Sequence, residues 1–225
     1  MKLHLIRSLS AITAALLLCA CGTLPQTETA QYTAAGANIT LTIPADWSWE
    51  TTAQTETTYP GLRIWPEAAP EAAVSVTLGI APGCGMVTSR SDVTYDNGYT
   101  ARMTYDDYGD TASTVITYTN VPGSYYVAYT YTDAQAEAYS TVIDAILNSA
   151  VLADGIIREE TALTLAQPYK TEEDQLLRAK YDMENAVWEV GIYPAIGGPT
   201  PLFTVTISSD GTVAAAETPA AETNA

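Results

Sequence analysis

One histidine, His4, is all the imidazole this 225-residue chain has, and it stands close to the start. Cysteine is nearly as scarce: Cys19, Cys21 and Cys84. Beyond residue 21 the sequence offers no imidazole and a single thiol. Ser-His-Asp and Cys-His mechanisms cannot be assembled there, nor can zinc, copper or haem sites built on histidine. Cations are the third scarcity. Nine Lys plus Arg face 26 Asp plus Glu, a net charge of −17. That balance excludes nucleic acid as a partner, because binding phosphate needs clustered cations. A long apolar run is missing too: Ser8 to Ala20 is 13 residues, short of the roughly 20 that cross a bilayer as a permanent helix. What is present is apolar surface. Hydrophobic residues make up 47% and charged ones 16%, which supports a packed core and excludes wholesale disorder.

The first seven residues carry Lys2 and Arg7, and the short apolar run follows. This is the layout of a secretory signal peptide. It closes on Leu18-Cys19-Ala20-Cys21-Gly22, which resembles the bacterial lipobox. The resemblance implies cleavage after residue 20, diacylglyceryl transfer to the Cys21 sulfur, and anchoring on the extracytoplasmic face of the cell membrane. Each buried methylene contributes about 0.8 kcal/mol, and two acyl chains hold stably where one does not. Trimming removes His4 and two of the cations, which leaves seven against 26 acids, or −19. Anionic headgroups repel such a surface, so the domain is expected to stand off the membrane. Thr23 to Ala37 has no hydrophobic period, and residues 21–37 are expected to be a flexible tether reaching on the order of 20 Å. Ala214 to Ala225 reads as a frayed tail.

Strand signals begin at Ile39. Ile39-Thr40-Leu41-Thr42-Ile43 alternates and ends at Pro44, and Val74, Val76, Leu78 and Ile80 alternate in the same way. Asn97-Gly98 marks a hairpin turn before the alternating Tyr99 to Tyr105. Thr114 to Thr119 and Tyr125 to Tyr131 follow, parted by the turn Asn120-Val121-Pro122-Gly123. Thr132 and Gln135 have capping-box spacing, and Tyr139, Val142, Ile143, Ile146, Leu147 and Ala150 fall on one helical face. The expected architecture is α+β: an antiparallel meander sheet over residues 38–154, one face covered by this amphipathic helix and the Thr-rich face wet. A smaller unit over 155–213 follows, with helices at Glu159 to Gln167 and Thr171 to Lys180, then strands at Ala186 to Tyr193 and Leu202 to Ser208. At about sixty residues it is marginal alone and is expected to pack on a neighbour.

Leu41 to Trp47 ("LTIPxxW"), Ile64-Trp65-Pro66, Cys84-Gly85 and Asn97 to Ala101 ("NGYxA") resemble the shared motifs of a group of lipoproteins from Gram-positive anaerobes. The opening of those proteins is in turn similar to the PsbP-like α/β sandwich. That resemblance implies a binding and assembly fold without a shared active site. Glu159 to Leu163, Val187 to Val190 and Val205 to Val213 with the Asp210-Gly211 turn resemble a PepSY-type module. The Pro168 break and the extra Glu172 to Lys180 segment depart from it. This second resemblance implies an extracytoplasmic interaction or regulatory unit.

Few chemistries survive these scarcities. Cys84, in Pro82-Gly83-Cys84-Gly85, reads either as a buried small residue or as an exposed reactive thiol. Asp106, Asp107 and Asp110 could lend oxygens to calcium, but their spacing is not that of an EF-hand and a solvated hairpin tip explains them equally. Trp47 and Trp49 share one side of an extended segment, with Tyr59 and Trp65 following. Such aromatics either staple a sheet edge to the core or receive a partner. The expectation is a binding or accessory protein that recognises an envelope protein or a cell-wall glycan without covalent chemistry. Cys21 would carry the lipid, and Trp47, Trp49, Tyr59 and Trp65 are the candidate contacts. No catalytic residue, metal or cofactor is expected. The alternatives are a surface enzyme working through carboxylates or Cys84, and a purely structural envelope lipoprotein.

Overall fold

The computed structural model describes residues 26–79 and 87–217. The leader, Cys21, the Cys84 loop and residues 218–225 lie outside the described residues. The protein is α+β, with two hydrophobic clusters.

The larger cluster is built on a seven-stranded antiparallel sheet. Strands β3 (Trp47–Thr52), β4 (Gly61–Pro66) and β5 (Val74–Leu78) form one meander. Strands β6 (Ser89–Thr94), β7 (Thr100–Asp107), β8 (Ala112–Tyr118) and β9 (Tyr125–Tyr131) form another. The two join where β9 pairs with β5, in the order β3-β4-β5-β9-β8-β7-β6. Because side chains alternate, register sorts the residues into two faces. Leu62, Val76, Val127 and Ile116 line up across four strands as an inner row, and all four are buried. On the outer face Arg63, Ser75, Ala128, Val115 and Thr104 make the corresponding row, half-buried throughout.

The inner face is covered by a hairpin and a helix. Helix α1 (Asp133–Asn148) buries Ile143, Ile146 and Leu147, with Tyr139 and Val142 packed beside them. Its first turn carries the expected capping box between Thr132 and Gln135. Beside it, β1 (Thr27–Ala34), β2 (Ala37–Pro44) and β10 (Val151–Leu152) form a three-stranded sheet in the order β1-β2-β10. Ile39, Leu41 and Ile43 of β2 belong to the core.

β1 corrects the tether expected over residues 21–37. From Thr27 to Ala34 the chain pairs residue for residue with β2. Seven of its eight side chains are exposed or half-buried and only Ala30 is sealed. Backbone pairing and one small contact hold this strand, which leaves no hydrophobic period to read.

The smaller cluster gathers Ala162 and Ala166 of α2 (Glu159–Ala166) against Trp188, Val190, Ile192, Val205 and Ile207. Its sheet runs in the order β11-β12-β13-β14, with β11 (Leu176–Asp182), β12 (Val187–Tyr193), β13 (Phe203–Ser208) and β14 (Val213–Glu217). Two expectations are corrected here. The helix expected over Thr171 to Lys180 is a turn followed by β11. The Gln175 carboxamide accepts from the Thr171 backbone N–H at 2.9 Å and donates to Thr171 Oγ1 at 3.0 Å. The chain then alternates Leu177, Ala179 and Tyr181 against the cluster. The tail expected from residue 214 begins later, because β14 pairs with β13 as far as Glu217.

The two clusters meet through adjacent residues, Ile156 packing on the first and Ile157 on the second. Met183, in the β11–β12 turn, fills the other side of the junction. Its thioether accepts the Ser124 backbone N–H at 3.2 Å. Gly123 has φ +92°, and a Cβ there would stand 2.7 Å from the Met183 sulfur. A Cβ on Gly36 would stand 2.2 Å from the Met183 carbonyl oxygen. Only glycine at both positions lets the turn sit this close.

Candidate functional site

The four aromatics singled out from the sequence do not share one face. Trp47 is 3% exposed and meets Tyr139 edge-on at 5.9 Å, so its ring belongs to the core. Trp49 is 36% exposed and pairs with Ile64, which puts it on the inner face of β3, the last strand of the sheet order. Trp65 pairs with Ser48 on the outer face, where the Arg63 guanidinium lies 4.5 Å above its ring. Arg63 also faces Glu50 at 3.4 Å. Tyr59 is half-buried, its ring tucked against Gly79. The edge therefore presents Trp49 on one side and the Glu50–Arg63–Trp65 stack on the other.

Asp106 and Asp107 serve the β6–β7 hairpin and its following turn. Asp106 accepts from the Thr88 backbone N–H at 3.2 Å and Asp107 from that of Gly109 at 2.9 Å. Among the described residues no group of three or more His, Cys, Asp or Glu side chains is placed to hold a metal ion. Among those residues, also, no helix is long and apolar enough to cross a membrane.

A second region was not visible in the sequence. Where the β8–β9 turn faces the smaller unit, a cleft of about 420 Å³ opens. One wall is the Thr119–Ser124 turn; the other combines β11 with the start of α2. A recess of about 210 Å³ adjoins it, sharing Asn120, Val121, Pro122 and Arg158. Trp188 and Tyr181 lie along the cleft with their polar atoms engaged. The Trp188 indole N–H donates to the Ile157 carbonyl at 3.1 Å, and the Tyr181 hydroxyl donates to that of Gly36 at 3.0 Å. What they contribute is apolar ring surface. Burial pushes the Tyr181 phenol above its ordinary value.

Four charged residues border this cleft: Arg158, Lys180, Glu159 and Glu160. The ion pairs among the described residues are Arg63–Glu50 and Arg102–Asp92. Arg158 and Lys180 belong to neither. Arg158 stands at the N-cap of α2 without a side-chain capping bond. Glu159 and Glu160 occupy the first turn, where carboxylates suit the helix dipole. Asp182, two residues beyond Lys180, is occupied with the β11–β12 turn. Its carboxylate accepts from the Asn185 side chain at 2.7 Å, the Asn185 backbone at 3.2 Å and the Glu184 backbone at 2.9 Å, and those bonds, with the nearby Lys180 charge, hold it below the usual carboxylate range. Sequence reasoning missed the cleft because its walls come from distant stretches, residues 119–124 and 158–188, and because β11 reads as a helix in the sequence. The one available signal was the pair of cations in an acidic chain.

No family model matches the chain, and neither does any curated protein. Among solved structures it is similar to the solution structure of a cyanobacterial PsbP from Synechocystis sp. The match has a TM-score of 0.39 at 10% identity and covers 60% of this chain and 98% of that one.

Proposed function

We propose that the protein is a lipid-anchored accessory protein on the extracytoplasmic face of the cell membrane. It binds an envelope protein or a cell-wall glycan without covalent chemistry. The observation that supports recognition is Trp49: a large aromatic, 36% exposed, on strand β3 at the end of the sheet order. An edge strand offers unpaired backbone groups to a partner, and an exposed indole offers the flat apolar anchor common at binding hot spots. The Arg63–Trp65 stack extends the same edge with a cation and a second ring. Trp47, sealed in the core, drops out of the contact set. The lipid belongs to Cys21, on the lipobox resemblance.

Full-length protein in detergent is used as bait against envelope extract and purified cell wall, beside Trp49→Ala. Capture that falls with Trp49→Ala supports recognition through β3, and equal capture by both proteins removes that edge. Anchoring is tested apart, by labelled fatty acid incorporation that Cys21→Ser should abolish. Incorporation that survives the substitution removes the lipid from Cys21.

A further inference from the structure

We propose that Met183 is a redox-sensitive latch: oxidation of its thioether to the sulfoxide by a peroxide releases the smaller unit from the larger one. Three observations carry this. The first is where the sulfur sits. It accepts the Ser124 backbone N–H at 3.2 Å. The Sδ, Cγ and Cε atoms lie 2.7, 3.0 and 3.2 Å from the place a Cβ on Gly123 would take. A thioether fits there because it is flexible, apolar and only a weak acceptor. An oxygen added on the Ser124 side would fall inside that contact, and on any side it makes the side chain polar and chiral. The same side chain packs on the first cluster, where a sulfoxide oxygen loses water without a donor in exchange. The second is access: Met183 is half-buried, and the next two residues of its turn, Glu184 and Asn185, are exposed. The third is how much of the junction depends on this turn. Among the described residues, the hydrogen bonds that join the two units are Ser124–Met183 and Tyr181–Gly36, and Gly36 itself lies against the Met183 carbonyl. The step is a two-electron oxidation: one peroxide oxygen bonds to Sδ, the O–O bond breaks, and the other oxygen leaves as water.

The latch depends on neither the lipid nor the β3 edge. Full-length protein in detergent is treated with hydrogen peroxide, the peroxide is removed, and peptide mass spectrometry locates the added oxygen. Thermolysin, which cuts before large apolar residues, then probes the connection at Ile156 and Ile157. Cleavage there follows the population of the open form and should quicken at least about tenfold once Met183 carries oxygen, with the β-sheet circular dichroism kept. Methionine sulfoxide reductases of both stereospecificities, with a dithiol, should restore the parent rate. Met183→Leu keeps an apolar side chain at the junction and leaves Met103 and Cys84 in place. Its cleavage rate, whatever the starting value, should not respond to peroxide. Unchanged cleavage of protein oxidised at Met183, oxidation that leaves Met183 untouched, or the same quickening in Met183→Leu overturns the proposal.

Discussion

Tyr118 and Tyr125 carry the same phenol into the same core with opposite consequences. The Tyr118 hydroxyl is buried with no hydrogen-bond partner, its ring held by Tyr95 and Tyr99. The Tyr125 hydroxyl accepts the Asn38 backbone N–H at 3.3 Å. A buried polar group without a partner costs about 1–3 kcal/mol, whereas a made hydrogen bond contributes about 1 kcal/mol. Tyr118→Phe should therefore raise stability by about 1 kcal/mol or more, and Tyr125→Phe should lower it by about 1 kcal/mol. Urea titration of both variants checks the sign, and a destabilised Tyr118→Phe would show that hydroxyl to be bonded. The buried phenols also set an alkaline limit. Burial pushes Tyr95, Tyr118 and Tyr125 well above the ordinary value and Tyr129 up to about 12. An unfolded tyrosine ionises near 10. Below that pH both states hold the proton and the full stability is present. As pH climbs from about 10 through the raised values, the unfolded chain gives up protons that the folded chain keeps, and stability falls. Tyrosinate absorbance should accordingly show a late group that appears together with loss of the β-sheet circular dichroism. Ionisation of all fifteen tyrosines near 10 with the sheet signal intact would contradict it.

Helix α1 shows why some elements announce themselves and others do not. Its start is local: the Thr132 hydroxyl accepts the Gln135 backbone N–H at 3.3 Å, and the Gln135 side chain accepts the Thr132 backbone N–H at 3.0 Å. Thr132→Ala should cost about 1 kcal/mol, read as a lowered melting temperature. Its end is tertiary. The Asn97 side-chain amide donates to the Leu147 carbonyl at 3.0 Å and the Ala150 carbonyl at 3.1 Å, and the Asn148 side chain accepts from the Asp96 backbone N–H at 2.8 Å. The Asn97-Gly98 pair reads as a turn in the sequence; in the structure it also closes a helix fifty residues away. Asn97→Ala leaves Gly98 to make the turn, yet should cost about 1–3 kcal/mol: it removes the side-chain donor of both carbonyls, of which that of Leu147 keeps the Ala150 N–H at 3.2 Å. Hydrogen exchange should rise in the last turn of α1, and unchanged exchange there would leave Asn97 as a turn residue alone.

Charge and docking decide the behaviour of the whole molecule. A net −17 on a folded surface repels itself, and compaction brings the acids closer. Raising ionic strength from about 0.01 to about 0.15 M shortens the screening length from roughly 30 to roughly 8 Å, so the melting temperature should rise with salt. A flat or falling curve would mean that local pairs outweigh the net repulsion. The junction between the two clusters rests on Met183, seated against Gly123 and Gly36. Met183→Ala removes the acceptor of the Ser124 N–H, the contact on Gly123 and the packing of its own side chain on the first cluster, while the buried members of both clusters stay. Proteolysis near 154–157 should quicken in that variant with little loss of sheet signal. Cleavage at the parent rate would assign the docking to Ile156, Ile157 and the Tyr181–Gly36 bond instead.

Strands β2, β5, β7, β8 and β9 and helix α1 were legible in the sequence because each buries one face, and burying one face writes a period of two or of three to four into the chain. The scarcity of imidazole and the acidic balance were legible too, since composition does not depend on folding. Strand β1 left no period because its partner is backbone, and β11 was hidden because Gln175 closes a turn where helix-cap spacing stood. The separation of Trp49 from Trp65 onto opposite faces, and the cleft where the Thr119–Ser124 turn faces β11 and the start of α2, were decided by strand register and by the docking of two clusters. Those are long-range pairings, and no local stretch of sequence contains both halves of them.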